Sequence, residues 1–207
     1  MKGYFITLEG GEGSGKTTVA KCVKEKLEED DYKVILTREP GGVNISEQIR
    51  KVIVDPLNKE MDARTEALLY AASRRQHLVE KIIPALEEGS IVLCDRFVDS
   101  SLVYQGIARG IGIEEVYKLN EFAINDTLPV LTLFFDVDPK IGFERIYRNK
   151  NREINRLDQE SMNFHYDVYH GYLTLCDLYP ERIKKVDASK DIEDVTLQVY
   201  QIIRDVL

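Results

Sequence analysis

The chain has 207 residues, enough for one domain whose core needs neither a disulfide nor a structural metal. A composition of 43% hydrophobic and 31% charged residues, with 13 Gly, 6 Pro and no Trp, excludes a disordered or fibrous chain. The net charge of −8 excludes a broad basic face for polymeric nucleic acid, so any anionic ligand must be met by a local basic cluster.

The opening stretch Met1 to Ile6 lacks the apolar run of a signal peptide, and no later run is long enough to span a bilayer. The expectation is a cytoplasmic protein without membrane association. Cys22, Cys94 and Cys176 are far apart and form no CxxC pair, which suits a reducing compartment and offers no metal framework.

Tyr4 to Leu8 reads as a strand, the Gly-rich stretch Gly10 to Gly15 as a loop, and Val19, Ala20, Val23 and Leu27 as one face of a helix. Lys33 to Thr37 is a second strand, leading into the turn-rich Arg38-Glu39-Pro40-Gly41-Gly42. Asp62 is placed to cap a long helical segment toward Glu88, with a kink expected at Pro84 and an end at Gly89. Ile91 to Cys94 and Leu131 to Phe135 are apolar throughout, as strands buried on both faces are, and each is followed by an aspartate, Asp95 and Asp136. Ile183 to Val186 is the last strand, and Val195, Val199, Ile202, Ile203 and Val206 form a stripe on a final helix. Five strands alternating with helices predict a single α/β domain over residues 1–207, a parallel sheet with right-handed crossovers.

Gly10-Gly11-Glu12-Gly13-Ser14-Gly15-Lys16-Thr17 satisfies GxxxxGK[ST] between a strand and a helix, the context in which that pattern cradles phosphates. Backbone N–H groups and the helix N-terminus supply positive potential, with Thr18 continuing the turn. Lys16 is the candidate for neutralising the β and γ phosphates of ATP, and Thr17 for holding Mg²⁺. Asp95, at the end of a neighbouring strand, is the second candidate for Mg²⁺. This loop alone does not separate kinases from GTPases or motor ATPases, although no DxxG or NKxD element is present.

In order along the chain, the phosphate loop, Arg38-Glu39-Pro40-Gly41-Gly42, Tyr70-Ala71-Ala72-Ser73-Arg74, Asp95-Arg96-Phe97, Ser101 with Tyr104-Gln105-Gly106, and an Arg-rich stretch resemble the segments of bacterial thymidylate kinases. The resemblance spans nearly the whole chain. It implies that Arg96 clamps the acceptor phosphate, that Tyr70 stacks on thymine and that Arg74 donates to the edge of the base. It also implies that Glu12 accepts from the 3′-hydroxyl of dTMP, that Ser101 and Gln105 lie near the thymine, that Tyr104 fills the place of a ribose 2′-hydroxyl, and that Arg38 and Arg50 lie near the acceptor phosphate. A homodimer is implied on the same ground.

Arg145, Arg148, Arg152 and Arg156 follow at intervals of three, four and four, as on one helical face, though Asn149, Asn151 and Asn155 interrupt the pattern. The resemblance implies a mobile lid near residues 145–157 that supplies the arginine this phosphate loop lacks, with Arg152 and Arg156 as catalytic candidates. No His-containing metal set is formed by His77, His165 and His170, and Tyr166, Tyr169 and Tyr172 need only pack a helix. Adenine contacts are placed after the last strand, in Asp187 to Asp191. The implied reaction is transfer from ATP to dTMP. Another nucleotide or deoxynucleoside kinase with a different acceptor is the nearest alternative, and a nucleotide-binding protein without transfer activity a more distant one.

Overall fold

The structure, a computed structural model, describes residues 3–148 and 156–207. Among these, β1 (Tyr4–Glu9), β2 (Val34–Arg38), β3 (Ile91–Asp95), β4 (Leu131–Asp136) and β5 (Ile183–Asp187) form one parallel sheet in the order β2-β3-β1-β4-β5. The three central strands are buried almost throughout, as their apolar runs require. The α/β architecture is the expected one, with each strand extending one residue beyond its apolar run into a charged residue.

Alternate strand residues feed two cores. One face of the sheet carries Phe5, Val92, Cys94 and Phe134, and the other carries Ile6, Leu8, Leu93 and Leu133. Helix α1 (Lys16–Glu29) buries Val19, Ala20, Val23 and Leu27 on the second face, beside α9 (Ile192–Arg204). The expected stripe on α9 is narrower than its sequence suggests: Val195, Val199 and Ile203 are buried, Ile202 is half-buried, and Val206 lies past the helix end and is exposed.

The opposite face packs against residues of α6 (Ile113–Ile124) and α8 (Met162–Leu178), with α3 (Ala63–His77) resting on α6 and α2 (Asn44–Val54) on α3. Asp62 caps α3 by accepting from the backbone N–H groups of Arg64 and Thr65, both at 3.0 Å. Helix α3 continues through a π-helical segment, Leu78–Ile82, into α4 (Ile83–Glu87). The expected break at Pro84 therefore takes another form. The wide turn makes Ile83 N donate to Leu78 O, and Pro84 falls in the first turn of α4, where a missing N–H costs little. A second π segment, Leu102–Ala108, extends the short α5 (Val98–Ser101). Helix α7 (Pro139–Arg148) follows β4.

From β1 the chain crosses to β2 and later returns to β4 on the other side of β1. The carboxyl ends of β1, β3 and β4 thus frame the crevice where a doubly wound sheet binds its ligand.

Candidate active site

A cleft of about 1030 Å³ opens at this end of the sheet. The phosphate loop lines one side, Arg38, Arg50 and Tyr70 line another, and Ala188, Lys190 and Asp191 line a third. This third wall coincides with the stretch expected to meet adenine.

The phosphate loop is tight because its glycines have no alternative. Gly13 has φ 70°, and a Cβ there would sit 2.1 Å from the carbonyl oxygen of Gly142 on α7. The contact is reciprocal, since a Cβ on Gly142 would come within 2.3 Å of Glu12 O. Lys16 curls back over its own loop, donating Nζ to Gly10 O at 3.0 Å, Gly11 O at 2.8 Å and Ser14 Oγ at 2.9 Å. Burial, with the Arg96 charge second, brings its ammonium down to about 8. A phosphate would replace neutral carbonyls with a counter-charge in direct contact.

Thr17 Oγ1 donates to Asp95 Oδ2 at 2.6 Å, so the two residues expected to share a cation lie in direct contact, one in the first turn of α1 and the other at the end of β3. One carboxylate and one hydroxyl, both oxygen donors beside a phosphate cradle, fit Mg²⁺, which takes few protein ligands and draws the rest from water and nucleotide. Among the described residues no cluster of three or more His, Cys, Asp or Glu offers a fuller cage.

Arg96 stands at the junction of the cleft's two sides. Its φ of 73° is left-handed, a conformation that costs a bulky residue energy and aims the side chain back across the strand ends. Nη1 donates to Gly10 O at 2.9 Å and Nη2 to Glu12 Oε1 at 2.6 Å, while the guanidinium lies over the Tyr104 ring at 5.0 Å. Tyr104 OH also reaches Glu12 Oε1, at 3.3 Å.

On the acceptor side, the Glu39–Pro40 bond is cis and Gly41 and Gly42 have φ of 124° and 90°. Arg38 Nη1 and Arg50 Nη1 both donate to Pro40 O, at 2.9 and 3.0 Å. Burial first, then the Arg38 charge, pulls the Arg50 guanidinium below its ordinary range. Tyr70 lines the cleft.

Arg74 is the residue expected to donate to the edge of the base. It is only 1% exposed and does not line the cleft. Nε donates to Glu39 Oε2 at 2.8 Å, Nη1 to Ser101 Oγ at 3.1 Å and to Asn120 Oδ1, and Nη2 to Phe97 O at 3.0 Å. Nearly all its donors are committed to protein, so it holds the floor of the pocket together. Gln105 is equally buried, with Nε2 donating to Glu66 Oε1 at 2.7 Å.

The expected lid divides. Arg152 lies outside the described residues. Arg156 is 6% exposed and fixed, its Nε donating to Ile53 O at 2.9 Å and its Nη2 paired with Glu66 Oε2. Here the charge of Arg156, expected on the transferred phosphoryl group, faces a buried carboxylate. Arg145 lines the cleft, held by Ala188 O at 3.0 Å.

Among the described residues four buried acids, Glu9, Glu39, Glu66 and Asp99, escaped the sequence reading. Glu9 accepts from Phe97 N at 2.7 Å, Ser100 Oγ at 2.5 Å and Tyr172 OH at 2.8 Å. Burial, then the Asp99 charge, raises its carboxyl to about 7. Tyr172, expected only to pack α8, also reaches Arg96 Nη1 at 3.3 Å and so belongs to the support of the site. Glu39 pairs with Arg74 and His77, and Glu66 with Arg109 and Arg156. The only signal available was an acid interrupting an apolar face, most visible at Glu9 beside the phosphate loop.

The thymidylate kinase family model matches residues 8–199. A thymidylate kinase of Oceanobacillus iheyensis is 60% identical over 207 residues, covering all of this chain and 92% of that protein. One from Clostridium novyi is 58% identical, covering 96% of this chain and 97% of its own. The crystal structure of thymidylate kinase from Ehrlichia chaffeensis superposes with a TM-score of 0.79 at 33% identity, over 98% of this chain and all of the other. Phosphate loop, paired Thr17 and Asp95, and a sequence match from β1 to α9 converge on one conclusion: the chain belongs to the thymidylate kinase family.

Proposed function

We infer that the protein transfers the γ-phosphoryl group of ATP to dTMP, giving ADP and dTDP. The observation that carries this reading is Arg96, which lines the cleft with its guanidinium on the phosphate loop at Gly10 O and on Glu12, stacked over the buried Tyr104 ring. A planar fork at that junction can bridge two phosphates and offset their repulsion as they approach in line.

Lys16 exchanges its loop carbonyls for the β and γ phosphates, and backbone N–H groups of Gly13 to Thr18 hold the donor. Arg38 and Arg50 draw the acceptor phosphate to its side of the cleft, and the Tyr70 ring supports the base. The acceptor's second pKa is about 6, so near neutral pH it is largely a dianion and needs no strong general base. Thr17 and Asp95 would hold Mg²⁺, which when bound would neutralise charge on the donor phosphates. Arg152 is the lid arginine that completes the charge during transfer, a role worth roughly 10³ to 10⁵ in rate in related phosphoryl transfers.

A homodimer is part of the same reading. Ile45 and Val52 on α2, Leu68 on α3 and Phe122 on α6 are exposed on neighbouring helices, and Phe122 is 90% exposed. Light scattering tests it, and a monomer at micromolar concentration would refute it. No described helix is long and apolar enough to cross a membrane, and the cysteines are free, in keeping with a cytoplasmic enzyme. The decisive experiment compares dTMP, dUMP, dCMP, dGMP and thymidine as acceptors with ATP and Mg²⁺. The expected order places dTMP first, and faster use of thymidine than of dTMP overturns the assignment.

A further inference from the structure

Glu66, Tyr70 and Arg74 follow at four-residue intervals on α3 and share one face. Ser101 and Gln105, also four apart, face them from the adjoining α5 and π segment. Two rungs join these rows. At one end Arg74 Nη1 donates to Ser101 Oγ at 3.1 Å, and at the other Gln105 Nε2 donates to Glu66 Oε1 at 2.7 Å. Tyr70 lies between the rungs and lines the cleft.

The second rung fixes which way the Gln105 amide faces. An ionised carboxylate only accepts, so the nitrogen end of the amide must turn toward Glu66. Glu66 is kept ionised despite its burial: the bond from Gln105 and the charges of Arg109 and Arg156 hold its carboxyl below the usual range. The oxygen end, Gln105 Oε1, is buried and meets no donor among the described residues. A buried acceptor without a donor is uncommon in a folded protein and is open to a donor from a ligand or an ordered water.

We propose that Glu66 is a positioning residue for base specificity: by holding Gln105 Nε2 it presents Gln105 Oε1 as an acceptor, selecting a pyrimidine that carries N3–H. Thymine and uracil supply that donor. Cytosine has a lone pair at N3 and would set two acceptors against each other. The proposal rests on the reading that the base of dTMP lies beside Tyr70. Glu66 never touches the base. It acts through Gln105, and a neutral side chain in its place could donate to Gln105 Oε1 and let the amide invert.

The test is kcat/KM for dTMP and dCMP, with KM for ATP, in wild type, Glu66→Gln, Gln105→Met and the double variant. In Glu66→Gln the dTMP:dCMP ratio is expected to fall roughly tenfold or more, the scale of one unsatisfied buried polar group, with KM for ATP within about twofold of wild type. Gln105→Met should lower the ratio similarly, and the double variant should add little, because both changes remove one orienting contact. Equal losses on both acceptors with an unchanged ratio would make Glu66 purely structural and overturn the proposal. Should Glu66→Gln not fold, the wild-type ¹H–¹⁵N signals of the Gln105 amide, identified by their loss in Gln105→Met, decide. Slow solvent exchange supports the clasp, and exchange at the rate of an exposed glutamine overturns it. Tyr70→Ala separates the two readings. If neither it nor Gln105→Met changes KM for dTMP, the base lies elsewhere and both readings fail; if both raise it while Glu66→Gln keeps the ratio, only the clasp fails.

Discussion

Arg38 and Arg50 direct their Nη1 atoms at the same oxygen, that of Pro40, from 2.9 and 3.0 Å. Two guanidiniums converging on one neutral acceptor repel each other, and an anion placed between them converts that repulsion into binding. Arg50→Ala should therefore raise KM for dTMP about tenfold to a hundredfold, as loss of a charge-assisted bond implies, with KM for ATP little changed. Steady-state titration of each substrate measures this, and equal effects on both would place Arg50 outside the acceptor site.

Lys16→Ala should reduce kcat by about 10² or more, because its ammonium meets charge that develops in transfer. The melting temperature should hold or rise, since a desolvated cation is removed. In wild type the free enzyme releases the Lys16 proton near pH 8, whereas bound phosphates restore it. ATP binding should thus take up a proton above about pH 8 and weaken as pH rises. Calorimetry in buffers of different ionisation enthalpy reads the uptake directly, and its persistence in Lys16→Ala would assign it to another group.

Glu9 makes a prediction about stability. Its carboxyl titrates near 7 in the folded protein against 4.5 for an ordinary glutamate, so the folded state binds more protons between those values. Its contribution is greatest below about 4.5, declines as pH rises through the window and is flat above about 7. Glu9→Gln should consequently cost more in melting temperature at pH 5 than at pH 8. A difference between wild type and variant that does not change with pH would mean that Glu9 stays ionised throughout.

Gly142→Ala tests the contact between α7 and the phosphate loop. The added methyl group meets the Glu12 carbonyl at 2.3 Å, and a backbone oxygen has no rotamer by which to retreat. Destabilisation of about 1–3 kcal/mol is expected from such overpacking. KM for ATP should rise with it, because the loop must shift. Normal ATP kinetics in a folded Gly142→Ala would show that the loop position is not set by this contact.

Arg152 and Arg156, adjacent in the arginine pattern, should separate by phenotype. Arg156→Ala leaves Glu66 without one of its buried partners and should destabilise by about 3–5 kcal/mol. Arg152→Ala should instead lower kcat at nearly unchanged melting temperature, with Lys at that position restoring only part of the rate. Thermal denaturation beside initial rates distinguishes them, and the reverse pattern would exchange the two roles.

The strands and the phosphate loop were legible because each is a local pattern: an apolar run of fixed length, or glycines at fixed spacing. The pairing of Thr17 with Asp95 followed from strand order, which parallel crossovers restrict tightly. What sequence could not disclose is which charge meets which. Arg74 finds Glu39 at a separation of 35 residues and Arg156 finds Glu66 at 90, and a periodicity of arginines contains no information about distant acids. Arg156 satisfied a helical spacing that its surroundings do not use. Glu66 was hidden in a helix where an acid near the N-terminus is ordinary, although its four-residue spacing from Tyr70 placed it on the face of the site.

Among the described residues strand β5 closes one side of the sheet, pairing with β4 alone, and its middle residues Lys184 and Lys185 are exposed between buried Ile183 and Val186. A foreign strand arriving at that edge would have to accommodate two adjacent ammonium groups and surrender their hydration. The border of the sheet thereby acts as a gatekeeper against edge-to-edge aggregation, and replacing both lysines with valine should shorten the time this protein stays clear in concentrated solution.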